Sequence, residues 1–493
     1  MKTSQSGTDL QHKLVSGLFW VLLLNLIIKP VWILGIEVGV QNSVGAEAYG
    51  FYFSIFNLAY IFNILLDAGI TNYNTRNIAR SPHLIQKHLS GILTIKLLLL
   101  GLYAAVTFTV GLLLGYSSEQ FLLLAILSFN QFLNSLILYL RSNFEGLMLF
   151  RWDSVISILD RLIMILLCGA MLWGQGVLLD TPFTIFHFAY AQTAAYLLTA
   201  ALALGVLLRR TGVRRLRFHR LFSLAVLKQS LPYALLLLLM ACYNRIDPLL
   251  LQQLLPDAVA DTEVGIYASA FRLLDALTMI AYLVSVPLLP VFARLTKEAG
   301  THTELADTTR WVFSLMMLFA VTAAVTLSCL AKPLMQLLYD QHCQASASVF
   351  RLLVFGIIPI GTTYVFGTLL TAAGRLKELN WLAVCSLVVN VIVNLLLIPR
   401  YGAVGSACAS LAAQGFMALT QVVVAVRIFH LRINVPYILK LALFTLSVVA
   451  VNLLLPPMAW WGAMLAALGV ALVAAFALRL VDIRKMIALL KKE

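Results

Sequence analysis

The sequence GFYFSIFNL at residues 50–58 and the sequence GIYASAFRL at residues 265–273 follow one pattern. Glycine, tyrosine, serine, phenylalanine and leucine recur in both at the same relative positions. Each copy follows a short acidic loop, and each is preceded by an apolar segment in which a charged residue stands directly before a proline. These dipeptides are Lys29-Pro30 and Asp247-Pro248. The shared context predicts an internal duplication.

Both copies lie in a chain whose composition fits lipid rather than water. Of its 493 residues, 61% are hydrophobic and 11% are charged, and the mean hydropathy is +0.93. A soluble domain is about half apolar and about one quarter charged. The composition therefore excludes a soluble enzyme and a nucleic-acid-binding protein, and we expect no nucleic-acid partner. Apolar runs of about 20 residues also exclude an outer-membrane barrel.

The apolar runs predict an all-α polytopic membrane protein with fourteen transmembrane helices, because about 20 apolar residues cross a bilayer as a helix. The predicted spans are 14–37, 49–70, 90–114, 120–140, 154–173, 184–208, 229–254, 264–292, 311–331, 346–371, 380–398, 403–426, 437–456 and 459–478.

The loop charges predict the orientation of these spans. If the N-terminus is cytoplasmic, the outer loops carry only Lys332 and Arg400, whereas the cytoplasmic segments hold most of the basic residues. Both termini are then cytoplasmic. The segment 209–228, RRTGVRRLRFHRLFSLAVLK, and the tail 479–493 are predicted to be basic amphipathic stretches on the anionic inner leaflet.

The duplication predicts the domain organisation. Because six spans separate the two copies, they run in the same direction and predict two parallel six-helix lobes, residues 1–208 and 229–426. The segment 209–228 links them, and residues 437–478 add two C-terminal helices. Duplicated lobes of this kind place a central cavity near the midplane of the membrane.

Charged residues inside the predicted spans require an explanation, because inserting each charged side chain at mid-bilayer costs about 2.5–3.5 kcal/mol. Lys29 has no carboxylate three or four residues away. Arg245 and Asp247 are two residues apart and cannot face each other on a helix, whereas Arg272 and Asp275 share a face. Two interpretations stay open: ion pairs that hold helices together, or cations that line a wet cavity and attract an anionic substrate.

Other charges lie nearer the span ends. Lys96, Arg351 and Lys440 are expected to snorkel, and Asp67 is expected to pair or cap rather than bind a ligand. The Asp160-Arg161 dipeptide fits either a structural or a cavity role.

A cavity lined by the charges inside the spans would be neutral to slightly basic. Such a cavity suits a phosphate or pyrophosphate with a large uncharged body. The aromatic residues Trp20, Trp32, Tyr52 and Tyr267 are predicted either to pack or to stack on sugars.

At these residues a family resemblance becomes visible. The motifs YGFYFSIFNL and LDAGI, NRID, VGIYASAFRLLD and YGAVGSACAS resemble the Wzx-type flippases of bacterial polysaccharide assembly. These belong to the multidrug/oligosaccharidyl-lipid/polysaccharide exporter superfamily. The resemblance covers essentially the whole chain.

The resemblance implies a transporter, not an enzyme, in the bacterial cytoplasmic (inner) membrane. It would flip undecaprenyl-pyrophosphate-linked oligosaccharide from the cytoplasmic to the outer leaflet by alternating access, for cell-surface polysaccharide assembly. Cavity cations serve the pyrophosphate in that family, a role carried over to Lys29, Arg245 and Arg272. Asp67, Arg161, Asp247 and Asp275 are candidates for the cavity or for coupling to protons or sodium. Expected partners are the lipid-linked substrate, membrane lipids, a polysaccharide polymerase and glycosyltransferases.

Three alternatives remain. A peptidoglycan lipid-precursor flippase has the same chemistry, and a cation-coupled multidrug antiporter belongs to the same superfamily. A membrane-embedded glycan polymerase needs a sizeable outer loop with acid and base residues, and the outer loops here are short.

The six cysteines lie far apart in the sequence, and none forms a CxxC pair. We interpret them as small apolar residues, so neither a metal nor a cofactor is expected.

Overall fold

The computed structural model describes residues 28–480, with gaps at residues 29, 68, 72–73, 76–77, 79–84, 175–180, 212–233, 286–287, 297–301, 432–434, 455–459 and 479. The described residues form helices and connecting turns, without a strand. The all-α prediction is therefore confirmed. Predicted span 14–37 lies largely outside the described residues, as do Lys29, most of the segment 209–228 and nearly all of the tail.

The helices divide between two compact units, residues Met1–Gly265 and Ile266–Glu493, called unit 1 and unit 2 below. This division follows internal packing, and the predicted lobes 1–208 and 229–426 stay a prediction.

Unit 1 opens with a π-helix over Val31–Glu37, which follows Pro30. Its α-helices are α1 (Val38–Ile61), α2 (Ile64–Asp67), α3 (Ile85–Leu113), α4 (Ser118–Gly146), α5 (Phe150–Trp173), α6 (Ile185–Thr211), α7 (Ala234–Arg245), α8 (Asp247–Leu254) and the start of α9 (Asp257–Ser285).

Unit 2 contains the rest of α9 and eight further helices, of which α13 and α14 are joined by a short 3-10 turn over Val354–Gly356. They are α10 (Leu288–Leu295), α11 (His302–Cys329), α12 (Ala331–Leu338), α13 (Cys343–Leu353), α14 (Ile357–Ala372), α15 (Leu376–Phe429), α16 (Val435–Leu454) and α17 (Trp460–Ala477).

These helices match the predicted spans closely. Eleven described helices are long and apolar enough to cross a membrane, or up to twelve if the bent pair α7 and α8 is one span. The 54-residue helix α15 contains a non-helical residue at Gly402 (φ 53°, ψ −132°), between the predicted spans 380–398 and 403–426. The total of fourteen spans stays a prediction, because the first predicted span lies largely outside the described residues.

Local sequence explains several helix boundaries. Ser117 caps α4: its hydroxyl accepts from the Gln120 backbone N–H at 3.3 Å, while the Gln120 side chain accepts from the Ser117 N–H at 2.7 Å. Gly45 interrupts α1 at φ 86° and ψ 164°, a conformation open essentially to glycine alone. Proline at the start of α8 is tolerated because the first N–H groups of a helix have no partner within it.

Candidate functional site

The break between α7 and α8 positions the first candidate cation. The two helices are bent by 48° at Ile246, so Arg245 lies at the end of one helix and Asp247 begins the next. The Arg245 guanidinium lies over the Tyr60 ring, 4.9 Å from its centroid. At this distance the cation is attracted by the ring electrons.

The surroundings of Arg245 differ from those of Asp247. Arg245 is half-buried, and Tyr60 in α1 is 37% exposed, so both reach the surface of unit 1. Asp247 is fully buried, and its helix α8 packs against α1. Within unit 1, the geometry leaves Arg245 better placed than Asp247 to meet a ligand.

A second charged cluster in unit 1 surrounds Tyr196. Arg161 and Asp160 form an ion pair, with 3.2 Å between Arg161 Nη1 and Asp160 Oδ2. Glu37, at the end of the π-helix, accepts a hydrogen bond of 3.0 Å from Trp32 Nε1. All three charges act electrostatically on Tyr196.

Glu37 was missed by the sequence interpretation. It stands at the end of predicted span 14–37, where a carboxylate is easily assigned to the following loop. The signal for its position was its apolar context, VWILGIEVGV, which continues past the glutamate.

A third cluster in unit 1 joins Asp67 with Lys96. Lys96 Nζ lies 3.2 Å from Asp67 Oδ1, and the lysine side chain is only 1% exposed. The expectation that Asp67 pairs is therefore confirmed. The expectation that Lys96 snorkels is wrong, because the lysine points into the helix packing rather than along the span to water.

In unit 2, Arg272 is buried in α9, with 8% of its surface exposed. Tyr339 and Asp275 lie near enough to interact electrostatically with its guanidinium. The Tyr339 hydroxyl donates to the Ser269 carbonyl, 3.3 Å away, one turn before Arg272. Arg272 is thus buried, whereas Arg245 is partly exposed.

The aromatic candidates are packed in the interior. Trp32, Tyr52 and Tyr267 are buried, and Trp32 stacks on Phe188 with ring centroids 6.0 Å apart. The Tyr52 hydroxyl accepts from Gln192 Nε2 at 2.9 Å. Packing therefore explains these three residues, and Trp20 lies outside the described residues.

The first residues of the two repeated motifs, Gly50 and Gly265, both lie in unit 1 and pack against backbone there. A methyl group added at Gly50 would overlap the Asp261 carbonyl oxygen, and one added at Gly265 would overlap the Ala46 carbonyl oxygen. Gln41 Nε2 donates to the Gly265 carbonyl at 3.0 Å. The paired glycines therefore permit backbone contact between α1 and the start of α9.

The neighbouring turn between α3 and α4 contains Tyr116. Burial, together with the nearby Asp261 carboxylate, raises the pKa of the Tyr116 hydroxyl well above its ordinary value. The phenol therefore stays neutral at physiological pH beside this carboxylate.

Comparison with protein families matches residues 14–296 to the family of polysaccharide biosynthesis proteins. Residues 248–479 match the lipid II flippase MurJ family. No curated protein matches the chain at the sequence level.

Solved structures share the fold. The lipid II flippase MurJ, in its inward closed conformation, is similar with a TM-score of 0.68 at 15% identity, over 93% of this chain and 99% of that one. An inward-facing multidrug resistance MATE family transporter of the MOP superfamily gives 0.63 at 14% identity, over 81% and 94% of the two chains. The MATE transporter VcmN of Vibrio cholerae gives 0.54 at 16% identity, over 86% and 98%.

The first family match spans more than half of the sequence, and the helical architecture agrees with the solved flippases and transporters. This chain therefore belongs to the polysaccharide biosynthesis protein family. It is a multi-pass membrane flippase or transporter of the multidrug/oligosaccharidyl-lipid/polysaccharide (MOP) superfamily.

Proposed function

We propose that the protein flips undecaprenyl-pyrophosphate-linked oligosaccharide from the cytoplasmic to the outer leaflet of the bacterial inner membrane. The family match to polysaccharide biosynthesis proteins supports this substrate class. The glycan and pyrophosphate cross through the protein while the prenyl tail stays in lipid. Alternating access exposes the binding site first to one side of the membrane and then to the other.

Arg245 is the observation that carries the proposal. A partly exposed guanidinium at a helix break, held over an aromatic ring, suits a pyrophosphate, because arginine pairs with phosphate oxygens through two parallel hydrogen bonds. Lys29 and Arg272 are proposed as further pyrophosphate cations on the sequence and the family resemblance. Arg161, Asp247 and Asp275 remain candidates for the cavity or for coupling.

The membrane potential favours the proposed direction. With the cell interior negative, each negative charge that moves outward gains about 2.3 kcal/mol per 100 mV. A pyrophosphate with about two charges is therefore driven outward by the potential.

A peptidoglycan lipid-precursor flippase is the second candidate, supported by the match of residues 248–479 to the MurJ family and by the MurJ-like fold. Its substrate also carries a prenyl pyrophosphate, so the same cations would serve it. A drug antiporter is less favoured by the charges, because Asp67 and Asp160 have cationic partners, whereas an organic cation needs an uncompensated carboxylate.

Leaflet translocation in proteoliposomes tests the proposal. Wild type is compared with Lys29→Ala, Arg245→Ala and Arg272→Ala, with a lipid-pyrophosphate oligosaccharide and lipid II as separate substrates. We expect Arg245→Ala to reduce translocation by about tenfold or more, as loss of a charge-assisted contact costs ~1.5–3 kcal/mol. Lys440→Ala, at an exposed position of α16, is the matched control and should transport normally.

The outcomes separate the candidates. Preference for lipid II over the oligosaccharide lipid selects the second candidate. Export of a cationic dye, with neither lipid moved, overturns both in favour of an antiporter. Normal transport by all three well-folded cation variants removes the pyrophosphate role of these residues.

The location and partners follow from the same proposal. We place both termini in the cytoplasm and the basic segment 209–228 on the inner leaflet. Glycosyltransferases supply the substrate on the inner side, and a polysaccharide polymerase consumes it on the outer side.

A further inference from the structure

Three arginines lie at one end of the neighbouring helices α5 and α6. Arg151 stands in the first turn of α5, and Arg209 and Arg210 stand in the last turn of α6. The two helices pack against each other, and all three arginines are exposed. Among the residues that the structure describes, no carboxylate forms an ion pair with any of them. These three residues, called the arginine patch below, therefore carry uncompensated positive charge.

Trp152 joins the ends of the two helices. The Arg210 guanidinium lies over the Trp152 ring, 5.9 Å from its centroid, a distance at which the ring attracts a cation. The ring is 39% exposed and lies directly before the predicted span 154–173. Tryptophan is enriched at the interface between bilayer and water. We therefore expect the arginine patch to lie at the depth of the lipid headgroups.

A hydrogen bond from α3 anchors the end of α6. Gln86 Nε2 donates to the Thr211 carbonyl at 2.7 Å. The last carbonyls of a helix have no partner within it, so the glutamine satisfies one of them. The Thr211 hydroxyl in turn donates to the Leu207 carbonyl at 2.9 Å. Arg209 and Arg210 therefore extend from a helix end whose position is fixed.

The acidic residues of this region are engaged elsewhere. Asp153, in the first turn of α5, is buried, and Arg141 of α4 holds it through two bonds, at 2.7 and 3.2 Å. Glu145 of α4 interacts electrostatically with the same two residues and is contacted by the Thr75 hydroxyl at 3.4 Å. Because Arg141 balances these carboxylates inside the helix packing, the exposed side keeps its positive charge.

The start of α5 adds to the positive potential beside Arg151. Leu149 precedes the first residue of the helix, and no side chain caps the helix there. The first N–H groups of a helix have no partner within it and favour a negative charge nearby. An anionic group held by Arg151 therefore gains from the helix end as well.

Both helices expose apolar side chains next to the arginine patch. On each helix the spacing of these residues places them on one face, and each is at least 40% exposed. They are Val155, Leu162 and Leu166 of α5, and Leu198 and Leu202 of α6. Arg209 lies on the same face of α6, about two turns beyond Leu202. A negatively charged headgroup with apolar chains alongside matches this arrangement.

Two arginines of unit 2 show the contrast. Arg310 lies 3.8 Å from Asp307, and Arg375 lies 3.3 Å from Glu378, in each case between Nη1 and a carboxylate oxygen three residues away. Each of these arginines has its own counter-charge. The arginine patch gathers three cations without one, and like charges held together favour an anion from outside the chain.

We propose that the arginine patch and Trp152 bind the headgroup of an anionic phospholipid, whose acyl chains lie along the exposed apolar faces of α5 and α6. The phosphate pairs with the guanidinium groups, and the indole ring keeps Arg210 in position. Under the predicted orientation the lipid belongs to the inner leaflet. This site is separate from the cations proposed for the transported lipid pyrophosphate and does not rest on the proposed function.

Lipid titration of the purified full chain, followed by native mass spectrometry, tests the site. Phosphatidylglycerol and phosphatidylcholine with identical acyl chains differ only in the headgroup. We expect wild type to bind phosphatidylglycerol at least about tenfold more tightly. Arg209→Gln with Arg210→Gln should remove most of this preference, because each cation near an anionic lipid contributes about fivefold. Equal affinity of wild type for the two lipids would overturn the proposal.

Arg217→Gln is the matched control for a localised site. It removes the same charge from the adjoining basic segment 209–228, outside the arginine patch. We expect this variant to keep the wild-type preference for phosphatidylglycerol. A loss as large as that of Arg210→Gln would assign the preference to diffuse attraction by the whole segment and refute the site.

Substitution of Trp152 tests the positioning of Arg210. Trp152→Phe keeps an aromatic ring and should retain most of the preference, whereas Trp152→Leu should lower it severalfold. Full preference in Trp152→Leu would exclude the indole ring from the site.

Thermal unfolding separates lost binding from lost folding. Without added lipid, the arginine variants should unfold at the wild-type temperature, because the substituted side chains are exposed. Phosphatidylglycerol should raise the unfolding temperature of wild type more than that of the double arginine variant, since a ligand of the folded state stabilises it. Displacement of phosphatidylglycerol by a much smaller amount of a prenyl pyrophosphate would overturn the proposal in favour of a capture site for the transported lipid.

Discussion

Lys96 shows that the position of a charge along a span does not by itself decide its environment. Its distance from the span end allows snorkelling, yet the helix rotation turns the side chain towards Asp67 and Ser135. The two charges of the pair lie in different spans but near their inner ends, and this shared depth was the available signal. Rotation of α3 about its axis was not visible in an almost uniformly apolar segment.

Tyr60 is the residue we expect to support Arg245. Stacking of a guanidinium on an aromatic ring is worth ~0.5–2 kcal/mol, so Tyr60→Leu should weaken binding of the lipid pyrophosphate severalfold. Tyr60→Phe keeps the ring and should bind nearly as wild type. The measurement is the substrate concentration that gives half-maximal flipping. Equal weakening by both substitutions would assign the effect to the hydroxyl group instead.

At the scale of the helix, the paired glycines of the repeat have a structural explanation. Helices α1 and α9 approach so closely at Gly50 and Gly265 that backbone atoms occupy the space of a side chain. Small residues permit such crossings in membrane proteins. The sequence identified the two positions as equivalent, but their contact with each other depends on how the helices pack.

Substitution of these glycines tests the crossing. Gly50→Ala and Gly265→Ala should each lower the thermal unfolding temperature, because the added methyl group meets rigid backbone and overpacking costs ~1–3 kcal/mol. Gly101→Ala in α3 has open space around the new methyl group and should be neutral or slightly stabilising. Unchanged unfolding of Gly50→Ala in detergent would show that the crossing is looser than described.

At the scale of the whole molecule, composition and loop charge carry most of the information. Every described predicted span coincides with one or more helices, and the predicted boundary near Gly402 coincides with a break in α15. The orientation rests on Lys and Arg placement alone.

Cysteine labelling tests this orientation. Cys343 lies in a predicted outer loop and is partly exposed, so a membrane-impermeant maleimide should label it in intact spheroplasts. Cys343→Ser should remove that signal. In the Cys343→Ser background, Arg217→Cys in the segment 209–228 should be labelled only after permeabilisation. Labelling of Arg217→Cys in intact spheroplasts would contradict the predicted orientation and place the segment 209–228 outside.

The sequence by itself determined the membrane class, the helical architecture, the positions of most spans and the superfamily. This was possible because a bilayer requires each span to be long, apolar and hydrogen-bonded within itself, and these demands are local. The tertiary structure decided which charges meet. It joined Lys96 with Asp67, placed Tyr60 beneath Arg245 and enclosed Arg272, because these contacts depend on helix rotation and on packing between segments far apart in the chain.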